Sequence, residues 1–197
     1  MSSILRSFLP TVSKRHAERR ILRETCPEKL FDIIVDVNRY KEFVPLCTKS
    51  NVLTSIDSFS SFSRSQEEHE EYQFDALLEI GIGGGKQSAL PSLSSPLTEE
   101  YVSRVTADRR NLCVETCSVD GSTRNDLFDS IKSSWKLREI NDENTLQTGV
   151  ASTGVEFEVE IKVSNPVIAG FLDAVLKDVA GLQVEAFQQR YLEIHAK

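Results

Sequence analysis

The side chains of this sequence that are able to act as general acids or bases lie far apart. The three histidines are His16 near the N-terminus, His69 in an acidic stretch and His195 near the C-terminus. An acid–base enzyme usually brings a histidine or a carboxylate into a dry cavity. These three positions suit solvated side chains better. No nucleophile–base constellation can be assembled, so we predict that the protein has no catalytic residue and is not an enzyme.

The carboxylates and thiols also favour structural roles. Glu156, Glu158 and Glu160 alternate along one predicted strand, which is typical of a solvated sheet face. The four cysteines form no CxxC pair and have no accompanying histidine cluster, which indicates buried free thiols in a reducing compartment. Cys113 and Cys117 share a strand face, but a metal site needs more than two ligands. We predict no metal site and no catalytic cofactor.

The composition and the loops exclude several other classes of function. With 40% hydrophobic and 27% charged residues among 197, the chain is typical of one globular domain with extensions. The net charge of −7, with no basic patch in the body of the chain, argues against a nucleic-acid partner. The loop 83–96 is rich in glycine, but it lacks the GK[ST] ending of a phosphate loop because Gln87 follows Lys86.

The N-terminus differs in charge from the rest of the chain. Residues 1–17 contain Arg6, Lys14 and Arg15 and no acidic residue. Ile4, Leu5, Phe8, Leu9 and Val12 would share one side of a helix. An amphipathic, acid-free segment with arginine and serine is typical of a mitochondrial transit peptide. We therefore predict a leader at residues 1–17 and one domain at 18–197.

The last helix organises the predicted domain. It is predicted over 166–193, with Asn165 as its N-cap and Pro166 at its first position. A helix of this length extends about 40 Å, and its apolar face is broad enough to need a large cover. The predicted face comprises Val167, Ile168, Phe171, Leu172, Ala174, Val175, Leu176, Val179, Ala180, Leu182, Val184, Ala186 and Phe187.

The remaining elements supply that cover. The pattern predicts a strand at 18–25, a helix from Pro27, a short helical turn at 40–44 and about six antiparallel strands before the last helix. The clearest strand is 145–163, where apolar residues alternate with charged ones from Val155 to Val163. This order predicts an α+β fold in which a curved antiparallel sheet wraps the long helix and leaves a cavity between them.

Several segments resemble one known family. The chain is similar to the START-like, helix-grip superfamily and, more narrowly, to the mitochondrial coenzyme Q-binding proteins. The resemblance covers about residues 17–192. The sequence differs from the family pattern at Leu46, where tryptophan is usual, and its segments 82–98 and 122–126 are longer than in the family. The carrying segments are Tyr40–Cys47 (YKEFVPLC) with Ser50, Leu78–Gly81 (LEIG), Tyr101–Val105 (YVSRV), Asp120-Gly121, Leu127-Phe128, Trp135, Phe171-Leu172 and Ala186–Arg190 (AFQQR).

The resemblance implies a ubiquinone-binding protein that supports respiration and quinone synthesis. It also implies a peripheral position on the matrix side of the inner mitochondrial membrane, with the quinone synthesis complex as a further partner. Because the isoprenoid tail is long, we expect partial enclosure or a homo-oligomer. We predict that ubiquinone occupies a cavity lined by Phe43, Val44, Pro45, Leu46, Trp135, Phe157, Phe171, Leu172, Val175, Leu176 and Val179.

One hypothesis about the opening of the cavity and two alternative functions accompany this prediction. The segment 40–47 and the start of the last helix are expected to form a movable gate, with Phe43 and Leu46 entering the membrane interface. A cyclase or dehydratase of the same fold is an alternative function, and it would need Tyr72, Tyr101 or Glu79 in the cavity. The other alternative function is an assembly or interaction protein of the quinone synthesis complex, with a vestigial cavity.

Overall fold

The computed structural model describes residues 10–53, 71–82, 97–125, 127–140 and 152–195. The strands are β1 (Val12–Leu22), β2 (Cys47–Val52), β3 (Glu71–Ile82), β4 (Leu97–Asp108), β5 (Cys113–Ser118), β6 (Ser130–Ile140) and β7 (Ser152–Val163). The helices are α1 (Pro27–Val35), α2 (Tyr40–Phe43) and α3 (Pro166–His195), and one 3-10 turn covers Val37–Arg39.

All seven strands belong to one antiparallel sheet. Their order across the sheet is β1-β7-β6-β5-β4-β3-β2, so the first two strands of the chain form its two edges. Helix α3 packs mainly on β1, β7 and α1. The predicted α+β helix-grip fold, with two short helices after the first strand, is confirmed.

Strand β7 shows why one face of the sheet is dry. Val155, Phe157, Val159, Ile161 and Val163 are at most 8% exposed. The intervening glutamates face outward and bind side chains of the edge strand β1: Glu156 pairs with Arg19, Glu158 with Arg15, and Glu160 accepts a hydrogen bond from Ser13. The predicted solvated glutamate face is confirmed, and the apolar alternation aims the other face at α3.

Helix α3 begins as predicted. The Asn165 side-chain oxygen accepts a hydrogen bond from the backbone N–H of Val167 at 2.9 Å, and Pro166 occupies the first helical position. The buried face is narrower than predicted, since Val167 is 75% exposed, Leu182 is 52% exposed and Ala174 is also exposed. One side of the helix is covered by the sheet, and the opposite side is left to solvent.

Helices α1 and α2 close one end of the sheet. Leu30, Phe31 and Ile34 of α1 are fully buried. Pro27 sits in the first turn of α1, where its missing N–H removes no helical hydrogen bond. The helix predicted from Pro27 and the helical turn predicted at 40–44 are therefore both present, and they cover one end of the sheet.

The sheet begins before the predicted domain boundary. Residues 12–17 form the first half of β1 and pair with β7 from Val163 to Glu158. Lys14 also forms an ion pair with Asp173 of α3, at 2.7 Å. The predicted strand at 18–25 is thus displaced toward the N-terminus. Four segments discussed above lie outside the described residues. They are residues 1–9 of the predicted leader, residues 57–70 around His69, the predicted loop 83–96, and residues 145–151 of the strand predicted from 145.

Candidate functional site

A cavity of about 150 Å³ lies between the concave face of the sheet and helix α3. The sheet wall includes Trp135, Phe157 and Val159, and the helix wall includes Phe171 and Val175. The segment after α2 closes a third side. In the part of the chain that the structure describes, no histidine and no charged residue lines the cavity. The site is therefore an apolar chamber with a few neutral polar groups.

Ten of the eleven residues predicted to line a ligand cavity meet around this one. Whether they bind a ligand stays a prediction. The ten residues are Val44, Pro45, Leu46, Trp135, Phe157, Phe171, Leu172, Val175, Leu176 and Val179.

Phe43 is the exception, because it does not line this cavity. Its ring packs edge-on against Phe187 of α3 at 5.0 Å and against Tyr40 at 6.0 Å between ring centroids. The Arg190 guanidinium lies over the other face of the ring, 5.6 Å from its centroid, and also binds Glu42 at 2.9 Å. Phe43 therefore anchors α2 to α3.

One row of α3 faces the cavity. Phe171, Val175, Val179 and Gln183 follow each other at four-residue steps, and all four are half-buried. Residues four apart lie above one another on a helix. The neighbouring row, Leu172, Leu176 and Ala180, also borders the cavity but is more deeply buried. The periodicity of the sequence could not separate these rows, because both carry apolar side chains.

The polar groups of the cavity fall into two sets. Some are satisfied within the protein: Tyr40 donates its hydroxyl to the carbonyl of Ile34, and Thr116 and Ser133 bond each other at 2.9 Å. Tyr101, Ser103 and Gln183 line the cavity as well, and their side chains form no hydrogen bond with any described residue.

Sequence reasoning named Tyr101 only for the alternative function, and it missed Ser103 and Gln183. A signal existed, because Tyr101, Ser103 and Val105 are the alternate residues of the Y-x-S-x-V segment and all three line the cavity. Gln183 was hidden because it is a polar residue in an apolar helix row.

Burial in this apolar chamber changes the acid–base behaviour of its groups. Loss of hydration raises the pKa of Cys47 to about 11, because the thiolate is disfavoured in an apolar environment. The same cause raises the pKa of Tyr40 and of Tyr101 well above the ordinary tyrosine value. These groups are neutral at physiological pH.

The remaining residues considered for chemistry lie elsewhere. Tyr72 and Glu79 do not line the cavity, and Glu79 accepts a hydrogen bond from Thr48 at 2.6 Å. His16 is on β1, 3.4 Å from Glu18, and His195 ends α3 against the ring of Tyr191. His69 lies outside the described residues. Among the residues described, no group of histidine, cysteine and acidic side chains is able to hold a metal ion.

Leu46 marks the most open point of the cavity wall. It is 36% exposed, more than any other lining residue, and its φ of 65° is in the left-handed region. That region is unfavourable for leucine, and the Leu46 carbonyl is held by a hydrogen bond from the N–H of Gly81 at 2.9 Å. The predicted gate at 40–47 therefore divides into an anchored part, α2, and an exposed part at Leu46.

Comparison with known proteins identifies the family. The family model described as "polyketide cyclase / dehydrase and lipid transport" matches residues 25–188. The chain is 23% identical over 180 residues to the ribosome association toxin RatA of Pseudomonas aeruginosa, covering 91% of this chain and 97% of that protein. It is 22% identical over 167 residues to the mitochondrial coenzyme Q-binding protein COQ10 of Dictyostelium discoideum, covering 85% of this chain and 64% of that protein.

The fold is also shared with solved structures. The Zhui aromatase/cyclase of Streptomyces sp. R1128 superimposes with a TM-score of 0.65 at 10% identity, covering 94% of this chain and 98% of that one. At this identity the likeness concerns the fold alone. The predicted helix-grip fold is shared with these structures, and the narrower resemblance to coenzyme Q-binding proteins stays a prediction. The chain belongs to the polyketide cyclase / dehydrase and lipid transport family.

Proposed function

We propose that this protein binds ubiquinone, with the quinone ring in the cavity between the sheet and α3, and that it acts as a carrier or chaperone for the lipid. The observation that carries the proposal is the chamber itself, which is apolar, enclosed and free of charged lining residues in the described part of the chain. A neutral ring with an apolar tail suits such a site, because burial of apolar surface is favourable and burial of an unpaired charge is not.

The size of the cavity restricts what it encloses. A cavity of about 150 Å³ in another protein holds one benzene ring, and the cavity here has a volume of about 150 Å³. In this conformation the chamber has room for the six-membered ring, and the ring substituents and the isoprenoid tail extend beyond it. Leu46, as the most exposed lining residue, is the expected exit of the tail.

The cellular setting follows from the same proposal. A tail that leaves the protein near Leu46 needs an apolar environment, which the inner mitochondrial membrane supplies on its matrix side or a second protomer supplies in a homo-oligomer. No helix in the described ranges has the length and apolarity to cross a membrane. The proposal places the protein peripherally on that membrane, where it supports respiration and delivers quinone to or from the quinone synthesis complex.

A binding role is favoured over catalysis by the chemistry of the lining. Acid–base catalysis needs a group that changes protonation near the working pH. The titratable groups found at the cavity are Cys47, Tyr40 and Tyr101, and burial raises the pKa of each away from neutrality. The proposed function is therefore not enzymatic.

A cyclase or dehydratase is the second candidate, because Tyr101 does line the cavity and a phenol is able to donate a proton. The name of the Pseudomonas relative points instead to an interaction role. Both alternatives differ from the proposal in one respect, since neither requires stoichiometric binding of ubiquinone.

Trp135 provides a direct test of binding. It is the only tryptophan of the sequence, is 2% exposed and lines the cavity. A quinone ring in van der Waals contact with the indole quenches its fluorescence. We expect saturable, one-to-one quenching when the purified protein is titrated with a ubiquinone that has a short isoprenoid tail.

Two lysine variants of α3 make the test specific. Val175 is half-buried and faces the cavity, whereas Leu182 is 52% exposed and does not line it. We expect Val175→Lys to abolish the quenching, because an ammonium group would enter the apolar chamber, and Leu182→Lys to retain it. Equal quenching in both variants, or none in the wild type, would refute binding in this cavity. Leu176→Lys is less informative because Leu176 is 7% exposed and belongs to the core.

A further inference from the structure

Three polar side chains of the cavity form no hydrogen bond with any residue that the structure describes. Tyr101 and Ser103 belong to β4 in the sheet wall, and Gln183 belongs to the cavity-facing row of α3. Helix and sheet form opposite sides of the chamber, so the three groups approach a molecule in it from two directions.

These groups differ from ordinary core polar residues. Tyr101 is 6% exposed and Ser103 is 2% exposed, yet neither side chain forms a hydrogen bond with a described residue. Among the described side chains, no fully buried nitrogen or oxygen atom lacks a partner. The hydroxyls of Tyr101 and Ser103 are therefore accessible, and the space next to them is the cavity.

An unmade hydrogen bond at a buried position is unfavourable by about 1–3 kcal/mol. The other polar lining groups avoid that penalty: Tyr40 and Cys47 donate to backbone carbonyls, and Thr116 and Ser133 bond each other. The contrast indicates that Tyr101, Ser103 and Gln183 bond something that enters the chamber.

The position of Tyr101 is fixed by its surroundings. The ring of Phe128 packs edge-on against it, with 5.3 Å between centroids. The segment before Phe128 is held by Glu99, whose fully buried carboxylate accepts hydrogen bonds from the backbone N–H groups of Arg124, Asn125 and Leu127 at 2.6–2.7 Å. A hydroxyl held in this way is preorganised to meet a ligand atom.

We propose that the Tyr101 hydroxyl and the Gln183 amide donate hydrogen bonds to oxygen atoms of the quinone ring, with Ser103 as a third contact on the sheet side. This inference rests on the proposed function and assigns the recognition of the ring to these residues. The apolar lining then binds whichever apolar group occupies the chamber, without discriminating among lipids. The three polar residues select a ring that bears hydrogen-bond acceptors.

The test compares two lipids that share one tail. The purified protein is equilibrated with phosphatidylcholine vesicles that contain either a short-tailed ubiquinone or the isoprenoid hydrocarbon of the same tail length, which has no oxygen atom. The protein-bound fraction is quantified by mass spectrometry. The variants are Tyr101→Phe and Gln183→Leu, which remove a polar group with little change in volume.

Each variant has a matched control outside the cavity. Tyr72→Phe removes the hydroxyl of a tyrosine that is half-buried outside the cavity. Gln188→Leu replaces a glutamine of α3 that is half-buried like Gln183. Neither Tyr72 nor Gln188 lines the cavity. The thermal unfolding midpoint is measured for all four variants. Because Tyr101 and Gln183 bond no side chain or backbone group in the described ranges, their replacement is expected to leave the midpoint unchanged or higher.

We expect each cavity variant to weaken ubiquinone binding about tenfold, the effect of one hydrogen bond, and to leave binding of the hydrocarbon unchanged. The two controls are expected to bind both lipids like the wild type. If the wild type binds ubiquinone and the cavity variants bind it equally well, or lose both lipids equally, the recognition role is wrong and the carrier function stands. If the wild type does not bind ubiquinone, both proposals fail.

Discussion

Cys47 is a thiol in the apolar wall of the cavity, and its ionisation reports that environment. Burial raises its pKa to about 11, whereas an unperturbed cysteine titrates near 8.5. The folded state therefore holds the proton more tightly than the unfolded state. Below the pKa of the unfolded state, the contribution of this thiol to the free energy of unfolding is fully present. That contribution is lost as pH rises from the unfolded pKa to about 11.

The predicted outcome is a shifted pH profile of alkylation. In a variant that retains Cys47 and carries serine at the other three cysteines, the rate of reaction with iodoacetamide should rise with a midpoint near pH 11. The same variant in urea should show a midpoint near 8.5. The comparison uses the midpoint because slow access alone lowers the rate without moving it. Equal midpoints in the two states would show that Cys47 is not in an apolar wall.

Two valines of α3 distinguish the cavity from the core. Val184 is fully buried, whereas Val179 is half-buried and faces the cavity. Replacement of Val184 by alanine should lower the free energy of unfolding by about 2 kcal/mol, because it removes close-packed methyl groups. Val179→Ala should have less than half that effect, because its side chain already borders open space. Urea unfolding of both variants measures the difference. Equal losses of unfolding free energy would mean that packed side chains fill the space next to Val179 and that no chamber is open there.

At the scale of elements, Glu99 is the feature that sequence reasoning had no means of finding. The sequence marks residues 122–126 as a segment longer than in the resembling family, and nothing in it singles out Glu99. The structure places the Glu99 carboxylate among two backbone N–H donors of that segment, Arg124 and Asn125, and the N–H of Leu127 after it. A pattern of residue types records which side chains are polar, but it does not record which backbone groups approach them.

The prediction for this element concerns Glu99→Gln. Hydrogen bonds to a charged group contribute about 1.5–3 kcal/mol each, and a glutamine has one acceptor oxygen where the carboxylate has two. We expect the free energy of unfolding to fall by about 2–4 kcal/mol. As a control, Glu100→Gln affects a carboxylate of the same strand that binds Lys49 and Arg124 at the surface, and it should cost less than about 1 kcal/mol. A reversed order would contradict the role given to Glu99.

The extent of successful prediction follows the strength of local signals. Strand β7 and helix α3 were predicted because alternation and capping residues are local features. The cavity wall was predicted largely from the same apolar residues, while Phe43 was not separated from it because a core contact and a cavity wall use the same residue types. Only the tertiary arrangement shows that Arg190 covers its ring.

At the scale of the whole molecule, β1 joins the N-terminal part of the chain to the rest. Its residues 12–17 pair with β7, and Lys14 contacts α3. A protein that begins at residue 18 should therefore lose half of an edge strand and one helix contact. We expect its thermal midpoint to lie several degrees or more below that of a protein that begins at residue 10, which keeps the strand and the contact. Identical midpoints for the two would show that residues 12–17 contribute no stability.

The central claim is that the chamber carries ubiquinone in the cell. The most direct measurement is mass spectrometry of the organic extract of the protein, purified in native form from mitochondria of cells that express it. We predict ubiquinone in near one-to-one amount, and little in a parallel preparation of Val175→Lys. An extract of the wild type without ubiquinone, or with another lipid in that amount, would contradict the proposed function and leave the fold as described.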